Sequence, residues 1–150
     1  MAVLVDSGIW IAAYNTRDAR HAHAKDLLAK AENPYITDFI LDEVVSFLTG
    51  SRALKKVPAE KRMENARAFL RFVQKSGAVD LVKVSEADFG MAKTSYENLP
   101  FVLTLTDWTS VFTMKTLGIQ KLLTFDGEFI RLGREEDYRF MQVHGCRNRA

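Results

Sequence analysis

Met1-Ala2-Val3-Leu4-Val5-Asp6-Ser7-Gly8-Ile9-Trp10-Ile11 opens the chain and sets how the rest is read. Ala2 to Val5 is a short continuous apolar run, the pattern of a strand buried on both faces. Beyond Asp6 the periodicity changes. Ile9, Trp10, Ala13 and Tyr14 form the apolar set of a helix over Ser7 to Tyr14. A buried strand passing straight into a helix is the first unit of an α/β fold, and a carboxylate stands at the junction.

The same alternation continues outward. A helix is expected from Arg20 to Ala31, with Ala24, Leu27, Leu28 and Ala31 at helical spacing. Pro34-Tyr35-Ile36-Thr37 reads as a brief strand. Thr37 or Asp38 caps the next helix, which runs to Leu48 and stops near Gly50. Pro58 starts another helix, whose stripe is Met63, Ala66, Phe69, Leu70 and Val73, and Gly77 ends it. Val79 to Val84 is a strand, and Ser85 with Asp88 opens a helix through Tyr96. Thr106 is expected to cap a helix from Asp107 to Gly118. Lys121 to Phe125 is a strand, and Tyr138 to Val143 a last one, suited to a sheet edge. Strands alternating with helices predict one domain over residues 1–150, a three-layer α/β/α sandwich around a mainly parallel sheet.

Composition supports a globular chain. At 150 residues it is long enough for a real core, with 47% hydrophobic and 27% charged residues. No apolar run approaches the roughly 20 residues that span a bilayer. The N-terminal residues do not read as a signal peptide. Cys146 is the single cysteine and fits a reducing cytosol, so a cytoplasmic protein is expected. The net charge of +2 does not by itself point to nucleic acid. Lys55, Lys56, Lys61, Arg62, Arg67, Arg71 and Lys75 cluster in one stretch, and Arg147 and Arg149 end the chain. A solvated helix face explains such a cluster, and so does a need to attract a polyanion.

Four acids stand where strand-like runs give way to helix-like runs: Asp6, Glu43, Asp107 and Asp126. Ligands of parallel α/β sheets bind outside the carboxyl ends of the strands, so distant acids can meet at one edge. Each has an ordinary structural reading. Asp6 can be a helix cap, although Ser7 could cap instead and free it. Asp107 can complement a helix dipole, and Asp126-Gly127 is a good turn. Glu43 borders the stripe of Ile40, Val44, Phe47 and Leu48, where it can reach water. Together they suit a hard divalent cation, because several carboxylates without one repel and raise one another's pKa. His21, His23 and His144 lack zinc spacing, and no phosphate-loop, dinucleotide or nucleophile-elbow motif is present. Trp10, Tyr14 and Trp108 could stack on bases, but their apolar faces favour core packing or a dimer interface.

The order and context of these motifs resemble the PIN-domain family along almost the whole chain. Val5-Asp6-Ser7-Gly8-Ile9-Trp10-Ile11 resembles its first motif, Tyr35-Ile36-Thr37-Asp38-Phe39-Ile40-Leu41-Asp42-Glu43-Val44 its second and Leu105-Thr106-Asp107-Trp108 its third. Thr124-Phe125-Asp126-Gly127-Glu128-Phe129 resembles its closing T-x-D-x-x-F segment. His21 to Leu28 resembles the family's second helix, with packing or a surface role expected of His21. The resemblance implies a metal-dependent endoribonuclease, the VapC-like toxin of a type II toxin–antitoxin pair. Asp6 and Asp107 would be the central ligands of one or two Mg²⁺ or Mn²⁺ ions. Glu43 would bind directly or through water, and Asp126 would complete the set of metal ligands, directly or only through ordered water. Ser7 and Thr124 would orient waters or ligands around them. RNA substrate, a cognate antitoxin and a homodimer are the implied partners.

Rival readings predict different residues. A haloacid-dehalogenase-like enzyme needs a second Asp at position 8, which is Gly8, and a response-regulator receiver needs paired acids at the first site. A free-standing RNA-processing PIN nuclease has no antitoxin. A non-catalytic PIN-like interaction module has no need of all four acids.

Overall fold

The computed structural model describes residues 1–146. Arg147 and Arg149 lie outside the described residues. The strands are β1 (Val3–Val5), β2 (Pro34–Thr37), β3 (Asp80–Val82), β4 (Lys121–Leu123) and β5 (Gln142–His144). The helices are α1 (Ser7–Tyr14), α2 (His21–Lys30), α3 (Asp38–Gly50), α4 (Ala59–Lys75), α5 (Glu86–Asn98), α6 (Leu105–Leu117) and α7 (Glu128–Leu132). All strand pairs are parallel, in the order β3-β2-β1-β4-β5.

That order dictates the layers. The chain steps from β1 through β2 to β3 in one direction, then returns past β1 to β4 and β5. Right-handed crossovers therefore put α1 to α4 on one face and α5 to α7 on the other. The packing agrees: α1 touches α2 and α3, α3 touches α4, and α5 touches α6. With both faces covered, β1 is apolar throughout, and Val3, Leu4 and Val5 are all buried. The α4 stripe packs inward through Ala66, Phe69 and Val73. The expected aromatic packing is present: Trp10 and Tyr14 lie 5.6 and 5.0 Å from the Phe69 ring. Trp108 is fully buried. His21 Nδ1 sits 2.8 Å from the carbonyl of Ala12 and ties α2 to α1.

Several boundaries differ from the sequence expectation. α6 begins at Leu105, capped by Thr104 rather than Thr106. Thr104 and Asp107 form a reciprocal capping box, which satisfies two otherwise orphaned N–H groups at once and outcompetes a cap two residues later. The expected strand over Tyr138 to Val143 begins only at Gln142, after a 3₁₀ turn at Glu136–Tyr138. The Tyr138 ring is drawn onto Trp108 at 5.9 Å, so this residue serves the core instead of the ladder. β3 and β4 are shorter than the apolar runs that predicted them. The short helix α7 has no counterpart in the expectation.

Candidate active site

The switch in strand order falls between β1 and β4, and a crevice at such a point is where open α/β sheets bind ligands. Asp6 leaves β1 there, and its N–H donates to the Leu123 carbonyl at 2.9 Å. Asp6 itself occupies the cap position of α1, so Ser7 does not take that role. Both oxygens of its carboxylate are held. Oδ1 accepts from the Ser7 N–H at 2.9 Å, and Oδ2 accepts from the Thr124 hydroxyl at 2.8 Å. Asp6 is buried, and burial, followed by the charge of Asp107, raises its pKa to about 7. The hydrogen bonds from Thr124 and Ser7 oppose that rise, and Glu43 adds to it.

Asp107 comes from the opposite layer, at the third position of α6. Oδ2 accepts from the Thr104 N–H at 2.8 Å as part of the capping box. Burial, then the charges of Glu43 and Asp126, raises its pKa to about 6 against the pull of the Thr104 hydrogen bonds. Glu43 projects from α3, which meets α6 at this edge. Its pKa is also raised, chiefly by burial, with the nearby Ser7 side chain opposing the rise and the charge of Asp42 adding to it. Glu43 Oε2 is buried with no hydrogen-bond partner.

Asp126 is placed differently. It is half-buried at the rim, and its Oδ1 accepts from the Glu128 N–H at 2.9 Å at the start of α7. Its charge reaches Asp107, but its carboxylate is first a turn-forming group. Thr124 joins the two sides, donating to Asp6 and accepting from the Asp126 N–H at 3.0 Å.

No Lys, Arg or His forms an ion pair with Asp6, Glu43, Asp107 or Asp126 among the described residues. Buried acids that raise one another and lack a basic partner suit a bound cation, and the unpartnered Glu43 Oε2 is an open oxygen ligand. Among the described residues, no three such side chains close into a ready-made metal cage as they stand. The donor chemistry fits Mg²⁺ or Mn²⁺, with water completing the shell as these small ions prefer.

Sequence reading missed Thr104, although the spacing Thr104-Leu105-Thr106-Asp107 is a capping-box signal. Of the basic stretch, Arg62 is structural: it donates to the Thr49 and Val57 carbonyls at 3.0 and 2.7 Å.

The sequence profile of the PIN domain family matches residues 3–135. The chain belongs to the PIN domain family. Solved structures of similar fold include Mycobacterium tuberculosis VapC20, a sarcin-ricin loop cleaving toxin. It is 24% identical with a TM-score of 0.73, over 87% of this chain and 95% of that one. VapBC2 from Rickettsia felis, bound to a promoter DNA fragment, is 16% identical with a TM-score of 0.62, over 96% and 98%. FitAcB from Neisseria gonorrhoeae is 10% identical with a TM-score of 0.59, over 95% and 96%. At these identities the likeness is one of fold. No curated protein sequence gives a significant match. In this PIN chain, no helix among the described residues is long and apolar enough to cross a membrane.

Proposed function

We propose that this PIN chain is a Mg²⁺- or Mn²⁺-dependent endoribonuclease, folded as a single domain, and the toxin of a type II toxin–antitoxin pair. The observation that carries the reading is the group of acids at the switch point, the buried Asp6 and Asp107 with the half-buried Glu43 and its buried, unpartnered Oε2, with no cationic partner among the described residues. An interaction module has no reason to retain such a costly arrangement. Asp6 and Asp107 would be the central ligands, Glu43 a direct or water-mediated one, and Asp126 would act through water at the rim.

A bound ion would polarise a phosphoryl oxygen and make a water more acidic. The chain's own groups set the geometry around it. Thr124 and the Ser7 N–H fix both oxygens of Asp6, and the Thr104 N–H fixes Asp107. The expected reaction is in-line attack of water on phosphorus with cleavage of the bond to O3′. A proton passes to that oxygen, leaving a 5′-phosphate and a 3′-hydroxyl. Toxin–antitoxin complexes among the structures of similar fold support a cognate antitoxin. Exposed Met91, Tyr96, Val102 and Leu117 offer apolar surface for a homodimer. A cytoplasmic setting fits the reading.

Cleavage of a structured RNA pool by purified protein, with Mg²⁺, Mn²⁺ or EDTA, tests it. Metal-requiring cleavage that disappears in Asp6→Asn and Asp107→Asn is expected. Absence of both cleavage and metal binding would refute the proposal. Co-purification with the product of an adjacent small reading frame tests the toxin role.

A further inference from the structure

Beside the acidic site lies a cleft of about 860 Å³ that the metal chemistry does not use. Its wall includes Phe125 and Gly127, the two neighbours of Asp126, so the cleft and the acids share a rim. Three arginines, Arg20, Arg131 and Arg134, line it against one carboxylate, Glu128. We infer that this cleft holds the sugar–phosphate backbone of single-stranded RNA flanking the cleaved bond, with Arg20 and Arg134 contacting phosphates.

The three arginines are not equivalent. Arg131 is committed to the protein: it pairs with Glu128, donates to the Pro100 carbonyl at 3.1 Å and lies over the Phe101 ring. It frames the wall. Arg134 makes no ion pair among the described residues. Arg20 has only a loose pair with Asp18 at 3.5 Å, and its guanidinium lies 4.5 Å above the Phe125 ring. Stacking of this kind orders the planar fork in advance, which suits phosphate recognition. His23, 5.8 Å from the same ring, adds a further donor to the wall.

The chemistry of the neighbouring site selects the occupant. A polyanion brought to a cluster of carboxylates is repelled unless cations stand close by. The volume lies within the roughly 300–1,000 Å³ of ordinary ligand pockets, enough for a short run of backbone rather than a duplex. The basic stretch on α4 is a weaker candidate, since Arg62 clamps α3 and Lys61 pairs with Glu64 at 3.5 Å.

The inference rests on the ribonuclease reading, and binding separates the two. The probe is a fluorescent single-stranded oligoribonucleotide, titrated by anisotropy in EDTA so that cleavage does not enter. Arg20→Gln/Arg134→Gln is expected to weaken binding about tenfold and to flatten the slope of log K against log salt by about 1.4, for two phosphate contacts at about 0.7 each. Arg67→Gln/Arg71→Gln on α4 is expected to stay within about twofold, and thermal midpoints verify that both variants fold. With metal, the cleft variant should raise KM while kcat changes little. Wild-type-like binding by the cleft variant, an equal loss in the α4 variant, or no RNA binding by wild type would overturn the inference. Cleavage lost in Asp6→Asn, together with RNA binding by Arg20→Gln/Arg134→Gln equal to wild type, would leave the nuclease standing without the cleft. Cleft-dependent binding without cleavage under any metal would do the reverse.

Discussion

Asp6→Asn should make the metal-free protein more stable at pH 8 while abolishing its activity. The Asp6 carboxyl is raised from 3.8 to about 7 by burial and by Asp107. A carboxyl whose folded pKa lies above its unfolded value binds its proton more tightly in the folded state. Between those two values the native chain holds more protons than the unfolded one, so stability falls as pH rises from about 4 to about 7. Three units at about 1.4 kcal/mol each put the full penalty near 4 kcal/mol, an order-of-magnitude figure. Asparagine removes the charge but loses the charge-assisted bond from Thr124, which offsets about 1–2 kcal/mol. The net gain at pH 8 is then about 2 kcal/mol, or roughly 4–8 °C in thermal midpoint for a chain of this size. At pH 5 only about a third of the penalty has developed, so gain and loss should nearly cancel. Thermal unfolding in EDTA at both pH values reads this directly. Mg²⁺ should stabilise wild type and not the variant, because a ligand that binds only the native state raises its stability. A variant less stable than wild type by the same amount at pH 5 and pH 8 would refute the reasoning, since the Asp6 charge would then carry no cost.

Three further outcomes follow from the same geometry. Thr124→Val removes the hydroxyl that donates to Asp6 and accepts from the Asp126 N–H; a loss of about 1.5–3 kcal/mol in metal binding at neutral pH is expected by calorimetry, with the acidic limb of the rate profile moved upward. Gly145 has φ +100, and a Cβ there would meet the Thr124 carbonyl oxygen at 2.7 Å; Gly145→Ala should cost about 1–3 kcal/mol in denaturant titration and lower cleavage by displacing Thr124. Cleavage at low metal should rise from pH 5 to pH 8, because Asp107 at about 6 and Asp6 at about 7 must ionise to bind a cation; saturating metal should move the midpoint lower. A flat profile at low metal would count against these two acids as ligands.

The alternation of strand and helix was written in local periodicity. Val3 to Val5, Pro34 to Thr37 and the Ala66-Phe69-Val73 stripe declared their elements because burial on one or both faces forces apolar residues at fixed spacing. The four acids were also legible, as carboxylates interrupting such runs. Their unequal placement was not. Glu43 is left with an unpartnered buried oxygen and Asp126 is spent on a turn, and both depend on what the fold packs against them. Thr104 carried a readable signal that yielded to the nearer Thr106. Short elements such as α7 and the turn at Glu136–Tyr138 have too few residues for a period, so side-chain packing decides them. The arginine cleft gathers residues 19–23, 125–134 and 145–146. The sequence by itself determined the layers, the sheet class and which acids stood at strand ends, because those follow from local patterning. Tertiary structure alone decided which acids share a charged field and which arginines line the neighbouring cleft, because Coulomb and desolvation energies depend on distance through space rather than along the chain.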